Sequence, residues 1–379
     1  MEYKLSDIFN LQMGKTPSRN NSDYWTEGKY DWISISDLSS EKYINKTKEK
    51  ITDSAIEKTN IKIIPANTVI MSFKLSIGKT AITSHDMYSN EAIMAFIDKH
   101  KVELNTDFIY YLLQSVKWNT NTAVKGKTIN KSIISKTKVN IPDYQEQCKI
   151  VKVLDIVTKR LKFEQKELIN LDELIKARFV EMFGDPVQNS LNKPMVKLES
   201  LGNWKSGGTP ARSNPNFYNG NINWFSAGEL NSLYLSKSKE KITEEAVQKS
   251  STKLFAKGSM LIGMYDTAAF KMGILKESSC ANQACANIKV NEKVNVVWLY
   301  YELQAMKEYF LNQRHGVRQK NLTLKMIKKF EIPIFDLNLQ NKFANFVQQV
   351  DKSKFENIVY LNKTLSSKIL SQLGDAIRD

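Results

Sequence analysis

The sequence predicts an α+β chain: two similar globular domains separated by two long antiparallel helices, with an internal pseudo-twofold repeat. Three observations predict it. An ordered series of motifs recurs after 193 residues, from Lys4-Leu5 to Lys197-Leu198. Two stretches of about 40 residues carry apolar side chains at helical spacing. The excess positive charge is confined to the repeated parts.

The repeat comes first because self-similarity decides the architecture. Gly14-Lys15-Thr16-Pro17 and Arg19 return as Gly207-Gly208-Thr209-Pro210 and Arg212. Tyr24-Trp25, Trp32 and Ser34 face Phe217-Tyr218, Trp224 and Ser226, and Asp37-Leu38 faces Glu229-Leu230. Lys48-Glu49-Lys50-Ile51-Thr52 is identical to Lys239-Glu240-Lys241-Ile242-Thr243. Asn90-Glu91-Ala92 matches Asn282-Gln283-Ala284, Tyr110-Tyr111 matches Tyr300-Tyr301, and Ile141-Pro142 matches Ile332-Pro333. Each copy mixes β-branched and aromatic runs (Ile61 to Phe73; Ser259 to Tyr265) with one helical stretch, Phe108 to Lys117 or Trp298 to Lys307. Strand order does not follow from these patterns.

A helix start follows each Ile-Pro. Asp143 with Glu146 three residues on is a capping signal, and Ile150, Val153, Leu154, Val157, Leu161, Leu168, Leu171 and Ile175 then recur at helical spacing until Gly184 and Pro186. The second stripe runs through Phe343, Phe346, Val347, Val350, Ile358, Leu361, Leu365, Ile369 and Leu373. A long helix with one apolar stripe needs a partner, and each stripe suits the other in antiparallel packing. The boundaries expected are residues 1–142 and 191–335 for the globular copies, with 143–190 and 336–379 for the helices and linker.

At 379 residues and 42% apolar, the chain is long enough for two or three domains with real cores. Its 55 basic and 40 acidic residues leave +15, which favours a polyanionic partner. Residues 1–142 hold 20 basic and 15 acidic side chains, 191–335 hold 21 and 11, and the helical parts hold 14 and 14. The surplus thus sits in the repeats, and it peaks at matching places. Six lysines (Lys117, Lys125, Lys127, Lys131, Lys136, Lys138) lie between Asp107 and Asp143 with no acid among them. Arg314, Arg318, Lys320, Lys325, Lys328 and Lys329 lie likewise between Glu308 and Glu331.

Such cations neutralise phosphates, and Arg, Gln and Asn read base edges. Candidate DNA contacts are therefore Lys125, Lys127, Thr128 and Asn130 in one copy and Arg314, Arg318, Gln319, Lys320 and Asn321 in the other. The Gly-x-Thr-Pro turns form a second group: their backbone N–H groups can cradle a phosphate, with Lys15, Thr16, Arg19, Gly208, Thr209 and Arg212 beside it. Lys74, Lys79 and Tyr265 complete the set. A solvated basic surface and a merely structural turn are the plainer readings of the same residues.

No catalytic constellation is evident. Gly-Lys-Thr occurs at Gly14, Gly78 and Gly126, but the glycine a P-loop needs five residues earlier is replaced by Phe9, Phe73 and Asn121. Asp143 and Glu164-Gln165-Lys166 imitate a metal-dependent nuclease pattern with the second element mid-helix. Cys148, Cys280, Cys285 and the three histidines show no metal-ligand spacing, so neither metal nor cofactor is expected. No apolar run reaches membrane-spanning length and the start lacks an export pattern, which gives a cytoplasmic expectation.

Together these features resemble the specificity (S) subunit of Type I restriction-modification systems, over essentially the whole chain. The resemblance rests on the duplicated Gly-x-Thr-Pro turn, Asn-Gln-Ala, and the basic loop Gly316-Val317-Arg318-Gln319-Lys320-Asn321-Leu322. It rests also on the Ile-Pro helix entry and on Arg178-Phe179-Val180-Glu181-Met182-Phe183-Gly184-Asp185. It implies that two target recognition domains each read one part of a split double-stranded DNA sequence while the helices set the gap. It also implies non-catalytic work beside two methyltransferase (modification) subunits, which carry S-adenosylmethionine and methylate a flipped adenine; an ATP-driven restriction (translocase) subunit can join. A specificity chain of a Type II-like system, or far behind it a nuclease using Asp143 and Glu164, are the other readings. Lys127-Thr128-Ile129-Asn130 in place of Arg-Gln-Lys-Asn, and Asn-Glu-Ala in place of Asn-Gln-Ala, make the halves differ as two different half-sequences require.

Overall fold

The computed structural model describes residues 1–39, 41–74, 76–118, 121–123, 126–313 and 321–377; within these, 121–123, 126–128, 266, 357 and 360–377 are described by backbone alone. The chain divides into two compact units, Met1–Glu164 with Val359–Asp379, and Gln165–Ile358. It is a two-domain α+β fold with an internal repeat, because each unit is built on the same strand order.

In the first unit a five-stranded sheet runs Phe9–Met13, Ile93–Asp98, Val69–Ser72, Thr80–Thr83, Tyr43–Ile44. In the second, the order is Gly202–Ser206, Cys285–Val290, Met260–Gly263, Met272–Leu275, Tyr234–Leu235. Pairing is antiparallel except at the last, parallel pair of each sheet. A three-stranded sheet lies in each unit, Glu49–Ile51, Tyr30–Ile33, Tyr88–Ser89 and Glu240–Ile242, Tyr218–Phe225, Cys280–Ala281. Two-strand clasps, Glu2–Lys4 with Lys138–Asn140 and Met195–Lys197 with Glu331–Pro333, close each repeat on itself.

The central strands are the continuous apolar runs: every residue of Val69–Ser72 and Met260–Gly263 is buried, as strands covered on both faces must be. One cover is the recognised helix, Thr106–Ser115 or Val296–Ala305, started by an asparagine whose side chain accepts Phe108 N–H at 3.1 Å or Val297 N–H at 2.9 Å. Phe108, Leu112 and Leu113 join Met71, Ile82 and Phe96 in one core; Trp298, Leu299 and Leu303 join Met260, Ile274 and Ile288 in the other.

The two long helices are Tyr144–Phe183 and Leu337–Ile377, 40 and 41 residues, hence about 60 Å each. Asp143 caps the first by accepting Glu146 N–H at 2.9 Å, and Gly184, at φ +70°, ends it in the left-handed conformation glycine tolerates. Each helix is fastened to its repeat by a buried glutamine with its amide satisfied. Gln147 Oε1 accepts Asn105 N–H at 2.8 Å while its Nε2 donates to Glu103 and Pro142 carbonyls at 2.9 and 3.0 Å; Gln340 repeats this with Asn295 N–H and the Phe335 carbonyl, both at 2.8 Å.

Within the second unit the helices pack antiparallel. Phe179 and Phe183 meet Phe343 with ring centres 5.3 and 5.6 Å apart, and farther along, Asp172 pairs with Lys354 at 2.6 Å. The repeats dock their helices by different chemistry. Lys42 bridges Asp107 at 2.8 Å and Asp155 at 2.9 Å, and Tyr111 donates to Asp155 at 2.6 Å; the equivalent positions are Leu233, Val297 and Gln348. Among the described residues no helix is long and apolar enough to cross a membrane.

Candidate nucleic-acid interface

The Gly-x-Thr-Pro turn is tight for a local reason. Gly14 and Lys15 donate their N–H groups to the Ile93 and Ser89 carbonyls at 3.3 and 2.8 Å, and Gly207 and Gly208 donate to Cys285 and Ala281, both at 2.9 Å. A Cβ on Gly14 would collide with the Ser89 and Asn90 carbonyl oxygens, and one on Gly207 with those of Ala281 and Asn282. These four N–H groups are spent on the fold, which leaves none of them for the expected phosphate cradle. The turn is pinned from the other side by Trp32 Nε1 and Trp224 Nε1, which donate to the Lys15 and Gly208 carbonyls, both at 3.1 Å. Lys15 itself sends Nζ to the Thr59 carbonyl at 2.6 Å.

The two arginines after the turns are also committed within their repeats. Arg19 forms a two-pronged pair with Glu49, 2.9 Å on one prong, and lies 4.0 Å from the Trp25 ring centre and 4.9 Å from that of Trp32. Arg212 grips Glu240 at 2.6 and 2.7 Å over Tyr218 and Trp224. Hydrogen bonding to the guanidinium holds both carboxyls below the usual range. The pairs are about half exposed, so they add little stability, but the planar fork and ring contacts fix geometry. Their shared task is to tie the turn to the Lys-Glu-Lys-Ile-Thr strand.

Three motifs far apart in sequence converge through one set of contacts, present twice. The Thr16 hydroxyl donates to the Glu91 carboxylate, and the Thr209 hydroxyl to Gln283 Oε1. Next to these acceptors, the Ala92 carbonyl accepts Phe73 N–H at 3.0 Å and the Ala284 carbonyl accepts Met264 N–H at 2.9 Å. Phe73 and Met264 in turn accept N–H bonds from Ile129 (3.2 Å) and Leu322 (2.8 Å), which lie within the basic segments. Turn and Asn-Glu/Gln-Ala are therefore linked in each repeat to one described residue of the basic segment, Ile129 or Leu322. Lys74 and Tyr265 follow Phe73 and Met264, half-buried and exposed, and Lys79 is exposed on the next strand connection.

Glu91 and Gln283 are the residues sequence reading missed as contacts, although their motif was found. Both are exposed. Burial of its inner atoms pushes the Glu91 carboxyl up, but hydrogen bonds from Thr16 and its own backbone, with Lys74 and Arg19 near, bring it below the ordinary range. It is a carboxylate at neutral pH.

The basic segments differ from expectation in register. Asn130 caps the helix Lys131–Lys136 by accepting Ile133 N–H at 2.9 Å, and Thr323 caps Leu324–Lys329 through Met326 N–H at 3.2 Å. Asn130 thus corresponds to Thr323, and half-buried Asn321 corresponds to Thr128. Lys127 and Thr128 lie on a strand, Gly126–Thr128, paired with Asn121–Ala123; their side chains, and all of Lys125, Arg314, Arg318, Gln319 and Lys320, lie outside the described residues. Lys117, Lys131, Lys136, Lys325 and Lys329 are exposed, whereas Lys138 pairs with Glu2 at 2.6 Å.

Catalytic alternatives find no geometry here. Asp143 caps the first long helix and Glu164 is buried about 30 Å along it, too far to share a metal. Among the described residues no three His, Cys, Asp or Glu side chains gather as a metal site. Cys280 and Cys285 are buried on strands, which pushes their thiols up to about 11 and about 12.

The duplication itself has a counterpart in a known family. Residues 1–173 and 192–366 each match the family described as Type I restriction modification DNA specificity domain. The chain belongs to that family. A Type I restriction enzyme MjaIX specificity subunit from Methanocaldococcus jannaschii is 25% identical over 194 residues, 48% of this chain and 43% of that protein. The EcoR124I/EcoR124II specificity subunit of Escherichia coli is 27% identical over 160 residues, 41% of this chain and 40% of the relative. The matched stretch therefore spans less than half the length of these curated relatives. The fold of a Type I restriction-modification S subunit from M. genitalium aligns over 100% of this chain and 96% of its own, with TM-score 0.57 at 16% identity. A chain from a study of complex assembly in a Type I restriction-modification system aligns over 98% and 95%, with TM-score 0.60 at 15% identity. Family membership and the Type I DNA specificity fold thus meet in one chain.

Proposed function

We propose that this chain is the DNA-recognition subunit of a Type I restriction-modification complex, non-catalytic itself, with each repeat reading one part of a bipartite target. The observation that carries it is the set of hydrogen bonds built twice, which joins the turn and the Asn-Glu/Gln-Ala segment to Ile129 or Leu322 of the acid-free basic segment. A shared frame with different side chains suits two readers of two half-sequences. Recognition domains 1–142 and 191–335 carry the reading, and 143–190 with 336–379 serve as spacer and docking helices. In the first unit the long helix leaves Ile156 and Phe163 exposed, and their spacing of seven puts them on one helical face. That face is suited to a protein partner, for which two methyltransferase subunits are the reading favoured; an ATP-driven restriction subunit would join them on DNA in the cytoplasm.

Selection of randomised duplexes by the full chain tests this. Wild type should select a split motif; Arg318→Ala should relax one half and Lys125→Ala the other, each by roughly 1–3 kcal/mol where the residue meets a base. Equal loss on both halves would sink the two-reader scheme. A second arm lengthens both long helices by seven residues, which keeps the apolar stripes in phase and adds about 10.5 Å. The preferred gap should grow by about three base pairs at about 3.4 Å each; an unchanged gap would exclude the spacer role.

A further inference from the structure

Glu91 and Gln283 occupy one structural position. Each is the middle residue of Asn-x-Ala in a turn whose asparagine accepts the alanine N–H, Asn90 Oδ1 from Ala92 at 3.0 Å and Asn282 Oδ1 from Ala284 at 3.1 Å. Each is exposed, and each has one oxygen engaged by the threonine hydroxyl of the Gly-x-Thr-Pro turn. Backbone and side chain are therefore aimed alike, and what differs is the chemistry left facing outward. A carboxylate has acceptors only, so with one oxygen on Thr16 the free face of Glu91 still accepts. In the exposed Gln283 the oxygen takes the Thr209 bond, and the NH2, with two donors, takes no part in it.

We infer that Glu91 and Gln283 are equivalent specificity-determining residues, Glu91 accepting from an exocyclic amino group (cytosine N4 or adenine N6) and Gln283 donating to an acceptor edge (guanine O6/N7 or thymine O4). This rests on the DNA-recognition reading above. In the major groove these patterns separate the base pairs, and a carboxylate facing the acceptors of guanine or thymine is repelled. Lys74 and Arg19 near Glu91 offset its repulsion from phosphates, which lets a carboxylate work on a polyanion. Thr16 and Thr209 are positioning residues that hold the readers in one rotamer.

The test is base preference of the full chain on randomised duplexes. Glu91→Gln should change preference at one base pair of one half-site, from an amino-bearing to an acceptor-bearing base, by about tenfold or more, with the other half unchanged. Gln283→Glu should do the reverse in the other half, and Thr16→Val should blur the first half's preference. Because glutamine can keep the bond to Thr16, a merely structural Glu91 predicts an unaltered motif in a variant that binds and melts like wild type. That result, with wild type selecting a split motif, would overturn this inference and leave the recognition role standing. Failure of wild type to select any motif would overturn both.

Discussion

With Glu302 replaced by leucine, the second unit should melt well above the wild-type chain, and the difference should widen as pH rises from about 5 to about 9. Glu302 lies on the helix Val296–Ala305, fully buried, and neither carboxylate oxygen has a hydrogen-bond partner among the described residues. Burial pushes its carboxyl up to about 8. A carboxyl whose folded value is raised contributes fully below its unfolded value near 4.5, loses that contribution as pH climbs to about 8, and then leaves a buried, unpaired charge or a disrupted helix. The spread corresponds to roughly 5 kcal/mol at alkaline pH, or about 10 °C or more in a unit of this size. The equivalent residue of the first repeat is Leu112, itself buried, so the repeat supplies the precedent for the substitution. Thermal melts across pH decide it: wild type should lose stability with rising pH more steeply than Glu302→Leu, in which the half-buried Asp351 still titrates. A variant less stable than wild type, or one with the same pH slope, would contradict the account.

Much of this architecture was legible because it rests on local or repeated signals. Asp143, Glu146 and Gly184 mark the ends of the first long helix through capping chemistry that acts within a few residues. The offset of about 190 between copies marks the repeat regardless of fold. Strand order was not legible, since the central strands Val69–Ser72 and Met260–Gly263 are apolar on both faces and no alternation tells their neighbours. Part of the candidate site was hidden for the same reason. Thr16 finds Glu91 across 75 residues and Thr209 finds Gln283 across 74, contacts that only the folded sheet creates. Arg19 and Arg212 looked like phosphate ligands because a cation beside a glycine turn fits either use. Their partners Glu49 and Glu240, identical in the repeated pentapeptide, were the available sign of an internal pair. Asn130, expected as a base contact, turns out also to cap a helix: an asparagine in a polar loop and a helix N-cap look alike until the helix after it is placed.

Phe183→Ala should cost about 3–5 kcal/mol and loosen the first long helix from the second repeat. Phe183 is the last residue of that helix, 1% exposed, with ring centres of Phe335 at 4.9 Å, Phe179 at 5.0 Å, Phe343 at 5.6 Å and Trp298 at 6.2 Å. One side chain therefore joins both long helices to the helix Val296–Ala305. Truncation leaves a void among rigid rings, which collapse poorly around it, so the loss should lie at the upper end for a buried aromatic. Lys354–Asp172 and Arg178 near Phe346 are exposed or peripheral contacts between the same helices and cannot offset it. In urea the second unit should unfold first and separately, as two transitions in place of coincident ones. On DNA, Phe183→Ala should keep preference for each half-sequence while tolerating a wider range of gaps, because the readers stay folded but the spacer end is no longer fixed. A variant with wild-type stability and an unaltered gap would show that this aromatic junction does not set the spacing, and would move that role to the charged docking of Asp155 with Lys42 and Tyr111 in the first unit.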